Sequence, residues 1–357
     1  MMKGLKKWRL LAMFTALAAF LSGCGEEYLS TLQPAGPVGK EQLNILLLSV
    51  IIMTLVVVVV SVIYLLAFFR FRRSRVGEDH MPKQVEGSHT LEVIWTVIPI
   101  VLLLILAVPT INSTYKFADV SAMDEVDENG DKTALTVNVV AKLYWWEFEY
   151  PDYGVVTAQE LVVPTDEKVY FNLSATEVKH SFWIPAVGGK MDTNVDNINK
   201  FFLEFGKESA ALEGGEGVFY GKCAELCGPS HALMDFKVKS VDRKSFDKWI
   251  AAMQATEGNK SDETSADLGE QLFANNCLLC HAVSGSGVAG AAGPNLTSFG
   301  DRTTVAGVLD HTEEELVEWI LDPESIKPGN LMTGNYAELS KEEAQAIAEY
   351  LMSLSVE

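Results

Sequence analysis

Two stretches without a single charge dictate where this chain can go. Leu43–Phe69 and Val93–Ile111 contain no Asp, Glu, Lys or Arg. At 1.5 Å per residue the first extends about 40 Å as a helix, more than the ~30 Å hydrocarbon core of a bilayer requires. Inside lipid every backbone polar group has to be bonded within its own segment, so helix is the form such runs adopt. Pro99 and Pro109 fall in the second run, where neighbouring helices satisfy the freed carbonyls. The pair reads as a transmembrane hairpin over 43–115. Arg70, Arg72, Arg73 and Arg75 lie in its connection and belong on the cytoplasmic side. Everything beyond Ile111 then faces outward.

The extreme N-terminus agrees by an independent route. Lys3, Lys6, Lys7 and Arg9 precede an apolar run from Leu10 to Leu21, the form of an export signal over 1–23. The ending Leu21-Ser22-Gly23-Cys24 resembles the box of bacterial lipoproteins, in which the Cys is lipidated and becomes the new N-terminus. A plain signal peptide with an incidental Cys24 is the alternative. Residues 24–42 then form a short external segment. Glu92 stands just before the second span. The helix dipole favours a carboxylate there, and a carboxylate at the membrane edge also serves to collect protons.

The chain of 357 residues is long enough for two or three units. Asp and Glu number 48 against 28 Lys and Arg, a formal net charge of −20, which excludes nucleic acid as a partner because phosphates need cations. From Leu135 the pattern turns to β. Short Val-, Phe- and Tyr-rich runs are expected as strands at 135–140, 144–150, 161–163, 169–173, 181–184, 199–205, 218–220 and 236–241. Their spacing points to a β-sandwich or barrel over 116–255, closed by a helix at 245–255. Residues 256–265 (TEGNKSDETS) read as a polar linker. Helices are expected at 267–275, 313–321 and 340–354 in a third unit over 266–357.

Four of the five cysteines come in two pairs, too few for a disulfide scaffold. The first pair is Cys223 and Cys227, followed by His231 and Met234 on one loop between strands. Thiolate, imidazole and thioether together suit copper. A single blue-copper site needs one Cys. Two cysteines can bridge a second ion, and the second imidazole then has to come from elsewhere, with His180 the candidate. A Cys223–Cys227 disulfide and a structural zinc site remain as alternatives.

The second pair is Cys277-Leu278-Leu279-Cys280-His281. C-x-x-C-H is the pattern of covalent haem c attachment, with two thioether links and His281 as an axial ligand. Met332, on the Pro/Gly loop 327–332, is the candidate for the opposite position. His311 and Met352 compete, the first ahead of three glutamates and the second in the last helix. The Pro294 carbonyl could orient His281 through its other ring nitrogen.

With two membrane helices, a β domain carrying His180 and the Cys223–Met234 loop, and a fused C-x-x-C-H unit, the chain resembles subunit II of haem–copper cytochrome c oxidases of the caa type. That resemblance implies an all-β cupredoxin-like Greek-key sandwich and an all-α class I cytochrome c domain. It implies a dinuclear CuA centre bridged by Cys223 and Cys227, capped by His180 and His231, with Met234 a weak ligand and Glu225 bound through its carbonyl. The Glu225 side chain would help to hold magnesium at the subunit I boundary. Tyr144-Trp145-Trp146-Glu147-Phe148 matches the aromatic patch where electrons arrive, and strand alternation should turn either Trp145 or Trp146 outward. Glu92 matches an acidic residue near a proton-channel mouth. Thr333 departs from the family, which often has Pro after the axial Met. The implied partners are subunit I and other oxidase subunits, membrane lipid, and an upstream cytochrome or quinol–cytochrome c reductase as donor. The implied place is a bacterial cell membrane, two-pass and lipid-anchored, with the soluble domains outside. Electrons would pass from haem c through CuA to subunit I, where oxygen is reduced and protons are pumped. From Asp262 onward 17 acidic residues face 3 basic ones, a net charge of −14, so a cationic or neutral donor is expected.

Overall fold

The computed structural model describes residues 15, 26, 28–77, 81, 84–130, 132–206, 218–259, 267–285 and 292–356. Cys24, the export signal apart from Thr15, and the linker from residue 260 lie outside the described residues.

Both apolar runs are helices, and both outrun the charge-free segments. Helix α1 spans Pro37–Phe71 and α2 spans His89–Ala118. The first opens on Pro37, whose fixed φ and missing N–H suit a first helical position. The expected external segment up to residue 42 is therefore partly helix. The Ser88 side chain caps α2 by accepting from the Leu91 amide, which puts His89 in the helix and Glu92 in its first turn rather than ahead of it. At the outer end Glu41 of α1 accepts from Lys116 of α2 at 2.5 Å and from Ser113.

The start of α1 is stitched to the β domain by backbone. Ala35 N–H donates to the Ala186 carbonyl at 2.7 Å, and Gly206 N–H donates to the Ala35 carbonyl at 2.8 Å. Gly36 is obligatory at this approach: a Cβ there would stand 2.0 Å from the Glu204 carbonyl oxygen.

The β domain is a sandwich of two five-stranded sheets. One has the order β3-β2-β1-β5-β8, built from Val155–Ala158, Trp145–Tyr150, Thr136–Lys142, Lys168–Ala175 and Asn199–Glu204. The other has the order β4-β10-β9-β6-β7, from Glu160–Pro164, Asp235–Val241, Phe219–Cys223, His180–Trp183 and Met191–Thr193. Strands β1 and β5 run parallel, as do β4 and β10, so each such pair is joined by a crossover. Strands β3 and β7 were not expected from the sequence; the first has both faces buried and no alternation to betray it, and the second is three residues long. Aromatic side chains fill the space between the sheets. Phe182 and Phe236 stack with ring centroids 4.8 Å apart, and Trp146 meets both. Helix α3, Arg243–Gln254, closes the sandwich with Phe246, Trp249 and Ile250 inward.

The C-terminal unit packs α4 (Leu268–Asn276), α5 (Glu313–Leu321) and α6 (Lys341–Met352) around Phe273, Leu316, Ile320, Ile347 and Leu351. A capping box of Ser340 and Glu343 starts α6. This unit rests on the sandwich. Val156 N–H donates to the Gly285 carbonyl at 2.8 Å, and Thr303 Oγ1 donates to the Glu160 carboxylate at 2.7 Å. Thr256, expected at the head of a free linker, is fastened instead: its carbonyl accepts from Ser284 at 2.9 Å and its hydroxyl from the Gly285 amide at 2.8 Å.

Candidate metal centre

Strand β9 ends at Cys223, β6 begins at His180, and the loop 224–234 folds back between them. Phe182 is registered opposite Cys223 across the β6–β9 pair, which fixes His180 near that cysteine. The outcome is a cluster of donor atoms. The two sulfurs stand 3.9 Å apart. His180 Nδ1 lies 3.8 Å from Cys223 Sγ, and His231 Nδ1 lies 3.7 Å from Cys227 Sγ. Met234 Sδ is 4.0 Å from Cys227 Sγ, and the Glu225 carbonyl is 3.3 Å from Cys223 Sγ. All six residues expected from the sequence converge here.

The donor set fits soft metal. Both thiols are free and buried, and 3.9 Å is about twice a disulfide bond length. His180 is fully buried, and its Nε2 has no hydrogen-bond partner among the described residues. The thiols titrate as a pair. The Cys227 thiol donates to Cys223 and holds the Cys223 pKa far below the usual thiol range, against the opposing effect of burial. The same bond, with burial, pushes Cys227 upward.

The surroundings hold the cluster from two sides. Below it, Trp146 Nε1 donates to the Met234 carbonyl at 3.3 Å, and its ring stands 6.2 Å from that of His180. On the membrane side a cleft of about 540 Å³ is lined by Gln42 and Leu46 of α1 and by Trp183, Lys190, Ala224 and His231. The Glu225 carboxylate is half-exposed at 4.0 Å from Lys179 Nζ. Neither tryptophan turns to solvent as expected. Trp146 belongs to the core, and Trp145, on the opposite face, is buried with its ring 4.6 Å from the Lys142 ammonium. Lys142 is itself paired with Glu147 at 3.1 Å.

In the C-terminal unit, α4 delivers Cys277, Cys280 and His281 in a turn held by bonds from the Cys280 and His281 amides to the Cys277 carbonyl. Both cysteines are free thiols. His281 Nδ1–H donates to the Pro294 carbonyl at 2.8 Å, which leaves Nε2 as the acceptor face of the ring, and burial lowers its pKa. A neutral, oriented imidazole is what axial ligation needs. Met332 lies half-buried on a loop organised by Asn330, whose side chain accepts from the amides of Met332 and Thr333, each at 2.9 Å. His311 spends Nε2 on the Phe299 carbonyl at 2.9 Å, and Met352 packs on the helical core. The sequence reading placed Tyr144 in the aromatic patch but missed that Tyr144, Ser230 and Lys327 join the two units. One signal was available: the C-terminal unit has only three basic residues, and two of them, Arg302 and Lys327, are buried.

Three family models match in tandem: "Cytochrome C oxidase subunit II, transmembrane domain" over residues 27–112, "Cytochrome C oxidase subunit II, periplasmic domain" over 155–241, and "Cytochrome c" over 266–355. Cytochrome c oxidase subunit 2 of Bacillus sp. (strain PS3) is 56% identical over 100% of both chains. The Bacillus subtilis (strain 168) protein of that name is 54% identical over 99% of both. The solved periplasmic domain of cytochrome oxidase subunit II of Bradyrhizobium japonicum is 28% identical, covering 33% of this chain and 91% of its own, at a TM-score of 0.30.

Proposed function

The chain belongs to the cytochrome c oxidase subunit II family, and we propose that its own side chains hold both electron carriers that this subunit contributes to the oxidase. It is a membrane protein with a CuA-type site and a fused cytochrome c domain, and as subunit II it associates with subunit I of a haem–copper oxidase. Oxygen is reduced in subunit I, and this chain feeds electrons to it. Bound copper supplies one reversible one-electron couple and covalent haem a second.

The residues divide the work as follows. Cys223, Cys227, His180 and His231, with Met234 and the Glu225 carbonyl, would hold the copper. Cys277 and Cys280 would hold the haem through their sulfurs, and His281 and Met332 would be its protein ligands. Trp146 and the strands behind it keep water from His180, so the ligands move little when the charge changes. The Glu225 carboxylate would also take part in a magnesium site at the subunit I boundary, Glu92 would lie at a proton-uptake mouth on the inner face, and Cys24 would carry lipid. The donor is a cationic or neutral cytochrome or a quinol–cytochrome c reductase, given the −14 charge of the last domain.

The observation that carries this reading is the convergence of two free buried thiols and two imidazole Nδ1 atoms within 3.9 Å contacts. The full chain loaded with copper should give a thiolate-to-copper absorption band and a seven-line mixed-valence electron spin resonance spectrum. A four-line spectrum from one isolated copper would overturn the dinuclear assignment. Haem that extracts freely in a pyridine haemochrome assay would overturn covalent attachment.

A further inference from the structure

The loop that carries Met332 lies against the loop that carries the copper ligands. Lys327 is 3% exposed, and its amine donates to the Tyr144 carbonyl of the sandwich at 2.9 Å and to the Ala306 carbonyl of its own domain at 2.7 Å. Burial draws its pKa down to about 7, with Asp235 opposing. The following residue continues the contact: the Pro328 carbonyl accepts from Ser230 Oγ at 2.7 Å, and Ser230 sits fully buried between Pro229 and His231. A Cβ on Gly329 would stand 3.6 Å from the Tyr144 hydroxyl and 3.7 Å from Pro229, ordinary packing distances. On its other side the Tyr144 hydroxyl presses on Gly228, where a Cβ would stand at 2.4 Å. Burial raises the Tyr144 pKa, and the next contributions come from Cys227 on one side and Glu324 on the other. The tyrosine is thus clamped between the two loops.

We propose that Lys327 is the positioning residue of the contact between the domains: by bonding the Tyr144 carbonyl it seats the Met332 loop on Gly228–His231, where the Ser230–Pro328 hydrogen bond offers the electron a bonded crossing. One electron leaves the haem side and reduces the copper pair by one; no bond forms or breaks. The inference rests on the ligand reading above. A buried amine has to keep its hydrogen bonds, so the seat is specific in geometry. Among the described residues no carboxylate lies within ion-pair distance of Lys327, so the seat resists salt, unlike a charged docking patch.

The test uses the whole oxidase carrying Lys327→Met. Flash photolysis measures haem-to-copper transfer, and amide exchange on the same enzyme measures protection at 144–146 and 228–231. Two carbonyls left unbonded should weaken seating about tenfold, with a matching fall in transfer rate and in protection. The copper and low-spin haem spectra should not move, which separates a positioning role from damage to either site. Ser230→Ala should slow transfer while protection at 144–146 persists. Unchanged rate and protection in Lys327→Met would overturn the proposal. If that variant fails to assemble, Lys327→Gln takes its place, and loss of the metal or haem spectra in both variants would make Lys327 a folding residue and likewise overturn it. Absence of those spectra from the unmodified enzyme would instead overturn the ligand reading.

Discussion

The Cys223 and Cys227 sulfurs stand 3.9 Å apart, and each has one imidazole nitrogen 0.1–0.2 Å nearer than its fellow sulfur. Each sulfur is thereby matched with one imidazole at nearly the same distance, a donor set that would suit a pair of ions. Cys227→Ser removes one bridge. The seven-line resonance spectrum should collapse to four lines, and the copper-to-protein ratio should fall from two to one by metal analysis.

Gly293 guards the other site. A Cβ there would stand 2.7 Å from His281 Cε1 and 3.0 Å from Nδ1, where the ring meets the Pro294 carbonyl. Gly293→Ala should tilt the imidazole and weaken its axial bond while leaving both thioethers intact. The expected outcome is a shift toward high-spin haem in the optical spectrum with unchanged covalent haem content.

Lys239 and Glu160 form a buried pair at 3.2 Å where the domains meet, and Lys239 also donates to the Asp301 carbonyl at 2.7 Å. Lys239→Met leaves Glu160 with the Thr303 hydrogen bonds and the nearby Arg302 guanidinium, but without its ion-pair partner. Removing one member of a buried pair costs about 3–5 kcal/mol. Thermal unfolding followed by tryptophan fluorescence should show a loss on that scale, and Glu160→Gln in the same background should recover part of it.

Lys327 gives the seating of the haem domain a pH dependence of known sign. Its pKa is about 7 when seated and has an ordinary value of 10.5 when released. Between those values the released form holds the extra proton, so seating tightens as pH rises through that window and is weakest below pH 7. The steepest change is about tenfold in the docking constant per pH unit. Haem-to-copper transfer should therefore be faster at pH 9 than at pH 6, and Lys327→Met should abolish the difference.

Much of this molecule was legible before its coordinates. Charge-free length dictated the hairpin, and a metal ligand set that must sit close in sequence announced itself in Cys223–Met234 and Cys277–His281. Eight of the ten sandwich strands were readable from their β-branched and aromatic runs. Helix ends were not, because Pro37 and the Ser88 cap extend both spans beyond the apolar stretch. The fate of Trp145 was also hidden: alternation says which face a side chain takes but not whether that face is covered. The contacts of Tyr144, Ser230 and Lys327 were illegible for a different reason. They join residues up to 183 positions apart, and no local pattern encodes such a meeting.

The stitch at Gly36 has a mechanical consequence. Because α1 and the sandwich share main-chain bonds at Ala35, Ala186 and Gly206, the described residues show no free joint between the first span and the copper-bearing domain. The metal's height above the lipid is then set by peptide geometry alone. Thickening or thinning the bilayer would lift or tilt the subunit as one lever, and the pair of ions would keep its reach to the neighbouring subunit only if that neighbour moved in step.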